Sequence, residues 1–243
     1  MTNWLERTEL LVGKENLEKL KKSNILLVGL GGVGSYAGEF LSRTGIGKMT
    51  IVDGDVVDIT NTNRQLPATH RTVGQGKAML MGERMKEINP ELELTVLSEF
   101  LQPERMAELI QSEKFDFVLD CIDSLQPKLN LIIACRESNT KIISSMGAGG
   151  RLDATRVKLA DISKSHTCPL ALHVRKGLKR LGHRNFKGMA VVFSDEPVPE
   201  SALRMTDGSN FKKSFYGTIS YIPALFGLQM ASHVIGELMK IED

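Results

Sequence analysis

Cysteine is scarce: Cys121, Cys135 and Cys168 are the only ones in 243 residues, and no two form a CxxC pair. That excludes a disulfide framework, removes the usual spacing of a structural zinc site and fits a reducing compartment. The opening residues, MTNWLERTEL, carry Glu6 and Glu9 and no apolar run, so the layout of a secretory signal is missing and a cytoplasmic location is expected. Charge is absent from Ser214 to Gly236, a stretch comparable to the about 20 apolar residues that span a bilayer. Pro223 and the polar Thr218, Ser220, Gln229, Ser232 and His233 interrupt it. They point to a core helix, with peripheral attachment to a membrane surface as a second reading. Repeats and low-complexity tracts are also lacking, and 42% hydrophobic with 25% charged residues is the balance of a chain that folds.

What is present is an alternation. Asn24 to Gly29 (NILLVG) is an apolar run ending in glycine, Ser35 to Arg43 suits a helix, and Lys48 to Asp53 (KMTIVD) is apolar again, which together read as a βαβ unit. Helices are expected over 77–88, 103–111 and 127–137, and strands over 93–97, 116–120 and 141–145. This order predicts an α/β fold, a Rossmann-like, doubly wound and mostly parallel sheet with ligands at the carboxyl ends of its strands. After GAGG at 147–150 the alternation ends, and strands over 156–160 and 189–193 flank a helix. Thr167 is positioned to cap that helix, Pro169 to enter its first turn, and Leu170, Val174, Leu178 and Leu181 to form its apolar face. Residues 1–155 are read as the Rossmann-like domain with an N-terminal helix. Residues 156–243 are read as a C-terminal α/β extension packed on the same domain, with a loop near 195–210.

Gly29, Gly31, Gly32 and Gly34, followed by Ser35, open the first helix directly after the first strand. In that context glycines let phosphate oxygens reach backbone N–H groups at a helix N-terminus. Asp53 closes the second strand, where a carboxylate accepts hydrogen bonds from ribose hydroxyls. A nicotinamide enzyme would show both features, so the residues that follow decide. Asn61, Asn63, Arg64 and Gln65 come next, and Lys77 starts the following helix. Arg64 and Lys77 are placed to neutralise a triphosphate tail, which a dinucleotide lacks. Asp120 and Asp123 end the fourth strand in DCIDS, so that one or both reach the carboxyl edge, where magnesium would be held by a carboxylate and phosphates. Asp55 and Ser124 stand beside these carboxylates and complete the candidate ATP-binding set. From Lys164 to Ser194 there are seven basic residues, Lys164, Arg175, Lys176, Lys179, Arg180, Arg184 and Lys187, and no acidic one, a footprint for a polyanion.

GLGGVGS (29–35), Asp53, NTNRQ (61–65), Lys77 and DCIDS (120–124) resemble the E1-like adenylylating superfamily of the ThiF, MoeB and HesA type. Along nearly its whole length the chain is similar to the tRNA threonylcarbamoyladenosine dehydratase family. The similarity lies in RTELLVGKE (7–15), DGDVVDITNTNRQ (53–65), INPE (88–91), SSMGAGG (144–150), DISKSHTCPL (161–170) and VVFSDE (191–196). The resemblance implies ATP-dependent activation of the carboxylate of N6-threonylcarbamoyladenosine in tRNA. This is a ligase-type reaction that releases AMP and pyrophosphate and leads to a cyclic, dehydrated base. It assigns Gly31, Gly32 and Gly34 to the phosphates, Asp53 to the ribose, Asn63, Arg64 and Lys77 to the triphosphate and Asp123 to magnesium. Arg7 would reach the triphosphate of a partner subunit, implying a homodimer, and Arg7, Arg64, Lys77 and Asp123 form the catalytic set. A monovalent cation and a sulfur-transfer or carrier protein partner stay open, and DNA is not an expected partner. Two departures count: the CxxC pair of protein-activating relatives is missing, and Cys168 stands where the family segment has Asp, as a neutral replacement rather than a nucleophile. The second reading is an adenylyltransferase acting on the C-terminus of a ubiquitin-like sulfur-carrier protein.

Overall fold

The computed structural model describes residues 3–185, 188–205 and 214–240. Two short helices, α1 (Glu6–Val12) and α2 (Lys14–Lys22), precede β1 (Asn24–Val28), α3 (Gly34–Thr44), β2 (Lys48–Val52), α4 (Lys77–Ile88) and β3 (Glu93–Leu97). The chain then returns through α5 (Pro103–Ser112) to β4 (Phe117–Asp120), α6 (Leu125–Glu137) and β5 (Ile142–Ser145). It continues with β6 (Val157–Asp161), α7 (Pro169–Arg180), β7 (Ala190–Ser194), β8 (Leu203–Met205), β9 (Ser214–Tyr216) and α8 (Tyr221–Met239).

The first seven strands form one sheet in the order β3-β2-β1-β4-β5-β7-β6, parallel except where β6 runs against β7. β6 and β7, which follow the GAGG segment, therefore extend the sheet begun before it, while β8 and β9 pair in a separate two-stranded sheet. β1 is buried along its full length, because alternate side chains of a strand point to opposite faces and both faces are covered. Ile25 and Leu27 join the layer containing Leu41 of α3, Met81 of α4 and Phe226 of α8. Leu26 and Val28 join Met106 of α5, Leu129 of α6 and Val174 of α7. The chain leaves β1 towards β2 and β3 and comes back on the other side at β4, so the order reverses between β1 and β4. In such sheets that is where the crevice opens for ligand.

The uncharged segment is α8, and its absence of charge has a packing cause. Ile222, Phe226, Met230 and Val234 are buried, and a Cβ added at Gly227 would lie 2.5 Å from Val33 O and 2.9 Å from Ala37 N. The helix thus meets α3 at backbone distance. No described helix is long and apolar enough to cross a membrane, and Ile222, Phe226, Met230 and Val234 of α8 lie in the core.

Three expectations are corrected. The region read as a loop from 195 to 210 contains a turn at Glu200–Ala202 and strand β8, which pairs with β9; residues 206–210 lie outside those described. Thr167 does not cap α7: it sits at φ +60°, Cys168 occupies the cap position, and no side-chain cap bond is made among the described residues. The buried face of α7 is Ala171, Val174, Gly177 and Leu178, whereas Leu181, one turn further on, is exposed.

Candidate active site

The glycine turn between β1 and α3 is shaped by what lies against it. Gly29 adopts φ +91°, and a Cβ there would stand 2.9 Å from Cys121 O; a Cβ on Gly34 would stand 1.7 Å from Gly29 O. Both positions exclude side chains for backbone reasons alone. Gly31 and Gly32 instead face the segment after β2: an added Cβ would meet Gln65 Nε2 at 3.6 Å and Arg64 Cγ at 3.5 Å, respectively, and at Gly32 also Pro223 Cβ at 3.0 Å. Asp53 clips the turn to the end of β2, accepting hydrogen bonds from Leu30 N at 2.6 Å and Asp55 N at 2.7 Å. Burial pushes its carboxyl pKa up, and these two N–H groups work in the opposite direction. Each oxygen keeps acceptor capacity for a hydroxyl. Ser35, by contrast, is fully buried, and its Oγ accepts from Leu66 N at 3.3 Å, so it fastens α3 to the next segment from inside the fold.

The NTNRQ segment is wound tightly by its own polar groups. A 3-10 turn, Ile59–Asn61, is closed by Asp58, which accepts from Thr60 N, and by buried Asn61, whose Oδ1 accepts from Asp58 N at 3.2 Å. Arg64 Nη1 donates to Thr60 O at 3.0 Å and to Asn63 Oδ1 at 2.9 Å. Burial lowers the Arg64 pKa while the Asp123 and Asp58 carboxylates raise it; a guanidinium stays charged through such changes. Asp123, on the loop after β4, therefore shares the field of Arg64 from the other side of the switch point. Asn63 also donates Nδ2 to Thr218 O at 2.8 Å, tying this segment to the stretch before α8. Gln65 lies beneath Gly31, and its buried Oε1 has no partner among the described residues.

Lys77 is deeper than its motif suggests. Its side chain is 5% exposed and its Nζ pairs with Asp55 Oδ2 at 3.0 Å, so the two candidates form one ion pair rather than two independent contacts. Of the two carboxylates in DCIDS only Asp123 is exposed, beside Ser124, which holds the cap position of α6. Asp120 is fully buried and bonded to Lys128 and Ser144, because the last residue of a central strand stays inside the sheet. Arg7 is exposed on α1, a helix with no buried residue that packs along α2; Leu10 and Leu11 on it are 88% and 85% exposed.

Over residues 5–243 the chain matches the model of the ThiF family. The tRNA threonylcarbamoyladenosine dehydratase of Bacillus subtilis strain 168 is 41% identical to it across 99% of this chain and 96% of its own length. The chain belongs to the ThiF family, among the tRNA threonylcarbamoyladenosine dehydratases. The crystal structure of the Escherichia coli dehydratase in complex with ATP superposes with a TM-score of 0.87 at 36% identity, over 98% of this chain and 96% of that one. The E. coli sulfur carrier protein ThiS adenylyltransferase is 32% identical over a shorter match, 58% of this chain and 56% of its own length.

Within this dehydratase family member the basic segment divides. Lys164, Lys176, Lys179, Arg180 and Arg184 are exposed. Arg175 is not displayed with them: it adjoins buried Val174 on the helix, and its guanidinium donates to Ser165 Oγ and, at 3.4 Å, to Ile162 O. Lys187 lies outside the described residues. Cys168 is buried in the core beside Gly147. Cys135 is also buried and Cys121 partly so, and burial pushes both thiols far up, away from thiolate chemistry. Sequence reasoning passed over Lys128. The only signal was a lysine eight positions after Asp120, one residue past Pro127, and by itself that spacing is indistinguishable from a surface charge.

Proposed function

We propose that this chain uses ATP and magnesium to activate the carboxylate of N6-threonylcarbamoyladenosine in tRNA, in an AMP-forming, ligase-type reaction that leads to a cyclic base. The observation that carries the reading is the meeting, at the switch point, of a glycine turn clipped by Asp53 with the Arg64 guanidinium and the Asp123 carboxylate. Similarity to the dehydratases across the whole chain supplies the substrate. A nucleotide fits these residues: Gly31 and Gly32 carry no side chain where the turn faces Arg64 and Gln65, so a phosphate oxygen can approach the backbone N–H groups there. Among the described residues no group of three or more His, Cys, Asp or Glu could hold a metal. Magnesium would then be held by one carboxylate, Asp123, together with phosphate oxygens, as this ion is commonly bound. Bound there, it would neutralise charge on the pyrophosphate leaving group.

The chemistry assigned to the chain is electrostatic and positional. A carboxylate oxygen of the substrate attacks the α-phosphorus, and pyrophosphate leaves with the bonding electron pair. Arg64 and Lys77 stabilise the charge that develops on the β- and γ-phosphates, Lys77 exchanging its contact with Asp55 for phosphate. Attack on the acyl carbon from within the carbamoyl group then closes the ring, the acyl C–O bond to phosphate breaks, a carbamoyl N–H proton is released to solvent, and AMP leaves with the carboxylate oxygen. That is the oxygen of the net water lost. An internal nucleophile held in place needs no second protein catalyst. Lys164, Lys176, Lys179, Arg180 and Arg184 would follow the tRNA backbone. Arg7, next to the exposed Leu10 and Leu11, would reach the site of a second subunit in a homodimer.

The match to the ThiS adenylyltransferase favours a second reading, adenylylation of a carrier-protein C-terminus, against which the missing CxxC pair counts. The deciding experiment measures AMP and pyrophosphate release with tRNA bearing threonylcarbamoyladenosine and with the same tRNA lacking it, with Asp123→Ala as control. Release that depends on the modification and is lost in the variant supports the proposal. Release with neither tRNA overturns it and turns the search to carrier proteins.

A further inference from the structure

Directly under the site lies a buried ion pair that the mechanism above does not use. Asp120 is the last residue of β4, in register with Val28 of β1 and Ser144 of β5. Lys128 Nζ donates to Asp120 Oδ2 at 2.7 Å and to Ser144 Oγ at 3.1 Å, and Ser144 Oγ donates to the same Oδ2 at 2.5 Å. Both charged side chains are 0% exposed.

As a packing device this arrangement is poor. Removing two ions from water costs several kcal/mol each, and apolar residues of like volume often serve as well or better. Lys128 also lies in the first turn of α6, where the helix dipole disfavours a cation. An apolar pair, however, has no direction. The ion pair runs from the end of β4 across to α6 and clasps the loop between them at its base. Asp120 Oδ1 further accepts from Ile122 N at 3.0 Å, the Lys128 N–H bonds Ser124 O at 3.3 Å, and the Cys121 N–H bonds Val28 O at 2.9 Å. Cys121 O in turn abuts Gly29, the first residue of the glycine turn. Asp123 is carried at the middle of this clasped loop.

We propose that Asp120, Lys128 and Ser144 are positioning residues, a buried clasp that fixes the 121–124 loop so that Asp123 meets the magnesium–nucleotide complex in one orientation. The inference rests on the reading of Asp123 as the magnesium carboxylate. Outer partners that orient a metal-binding group typically govern about 10–100-fold of the affinity.

The test titrates Mg2+ into the ATP-bound protein by calorimetry, and Mn2+ under the same conditions by electron paramagnetic resonance. Neither readout requires turnover. Lys128→Met alone strands a buried carboxylate, so the informative variant is Asp120→Asn with Lys128→Met, which removes both charges and keeps the volume. It is expected to melt close to the parent while its half-saturating Mg2+ rises about tenfold. Ser144→Ala, which leaves the charges paired, is expected to shift the same value in the same direction by a smaller factor, and keeps the question answerable if the double variant does not fold. Parental Mg2+ dependence in either variant, with Asp123→Ala shifted, overturns the clasp and leaves the Asp123 reading standing. No shift in Asp123→Ala overturns that reading, and the clasp with it.

Discussion

Two glycines on α8 give opposite signs for the same substitution. Glycine inside a helix costs about 0.8–1 kcal/mol relative to alanine, so on propensity alone Gly227→Ala and Gly236→Ala both stabilise. The structure separates them. At Gly236 an added Cβ meets nothing within 4 Å among the described residues, whereas at Gly227 it falls 2.5 Å from Val33 O. An ordinary contact begins near 3.4 Å, so α8 and α3 would have to part by about 0.9 Å, the difference between those two distances. Forcing a methyl into packed structure costs about 1–3 kcal/mol, and backbone facing backbone has no rotamer through which to yield. At the upper part of that range, about 2–3 kcal/mol, and with a propensity gain of about 1 kcal/mol set against it, Gly227→Ala should lose about 1–2 kcal/mol. For a chain of this size that lowers Tm by about 2–8 °C, at about 2–4 °C per kcal/mol. Gly236→Ala should raise Tm by about 2–4 °C on the same scale. Because Val33 borders the glycine turn and Pro223 touches Gly32, Gly227→Ala should also weaken ATP binding while Gly236→Ala leaves it unchanged. Calorimetric melts and ATP titrations of both variants decide the matter. Two equal increases in Tm would mean that α8 does not pack against α3 as described.

Replacing Lys176, Lys179 and Arg180 together by Glu should weaken tRNA binding and reduce the slope of log affinity against log salt by about 3. Arg175→Ala should instead leave that slope unchanged and lower Tm, since its guanidinium holds Ser165 and Ile162; filter binding across a salt series, with melts, separates the two. Cys168→Ala should keep AMP release within about twofold of the parent, because a buried structural cysteine is inert, and a loss of release would make Cys168 a nucleophile after all. Asp195 is held down to about 2 by Lys158 and then Arg156 beside it. A lowered carboxyl pKa adds stability above the ordinary Asp range that is lost as pH falls through about 2. Asp195→Asn should therefore flatten the acid limb of a stability-versus-pH curve, and an unchanged limb would refute the assignment.

The sequence by itself determined the alternation of elements, because buried strands and one-sided helices impose their own periods, and with it the parallel sheet and its switch point. It also marked the glycine turn, Asp53, Arg64 and Asp123, since each belongs to a short motif whose spacing is local. Tertiary structure alone decided which charges those motifs display. Asp120 and Asp123 are three positions apart in one motif, yet one is locked into the sheet by Lys128 and Ser144 and the other is exposed. Arg175 and Lys176 are neighbours in one basic run, yet only the lysine is displayed. Asn63 spans 155 positions to reach Thr218 O. Such distinctions depend on distances between residues far apart in the chain, and on whether a side chain ends in solvent or against another element. Neither periodicity nor motif spacing encodes that, because both describe only the order of residues along a line.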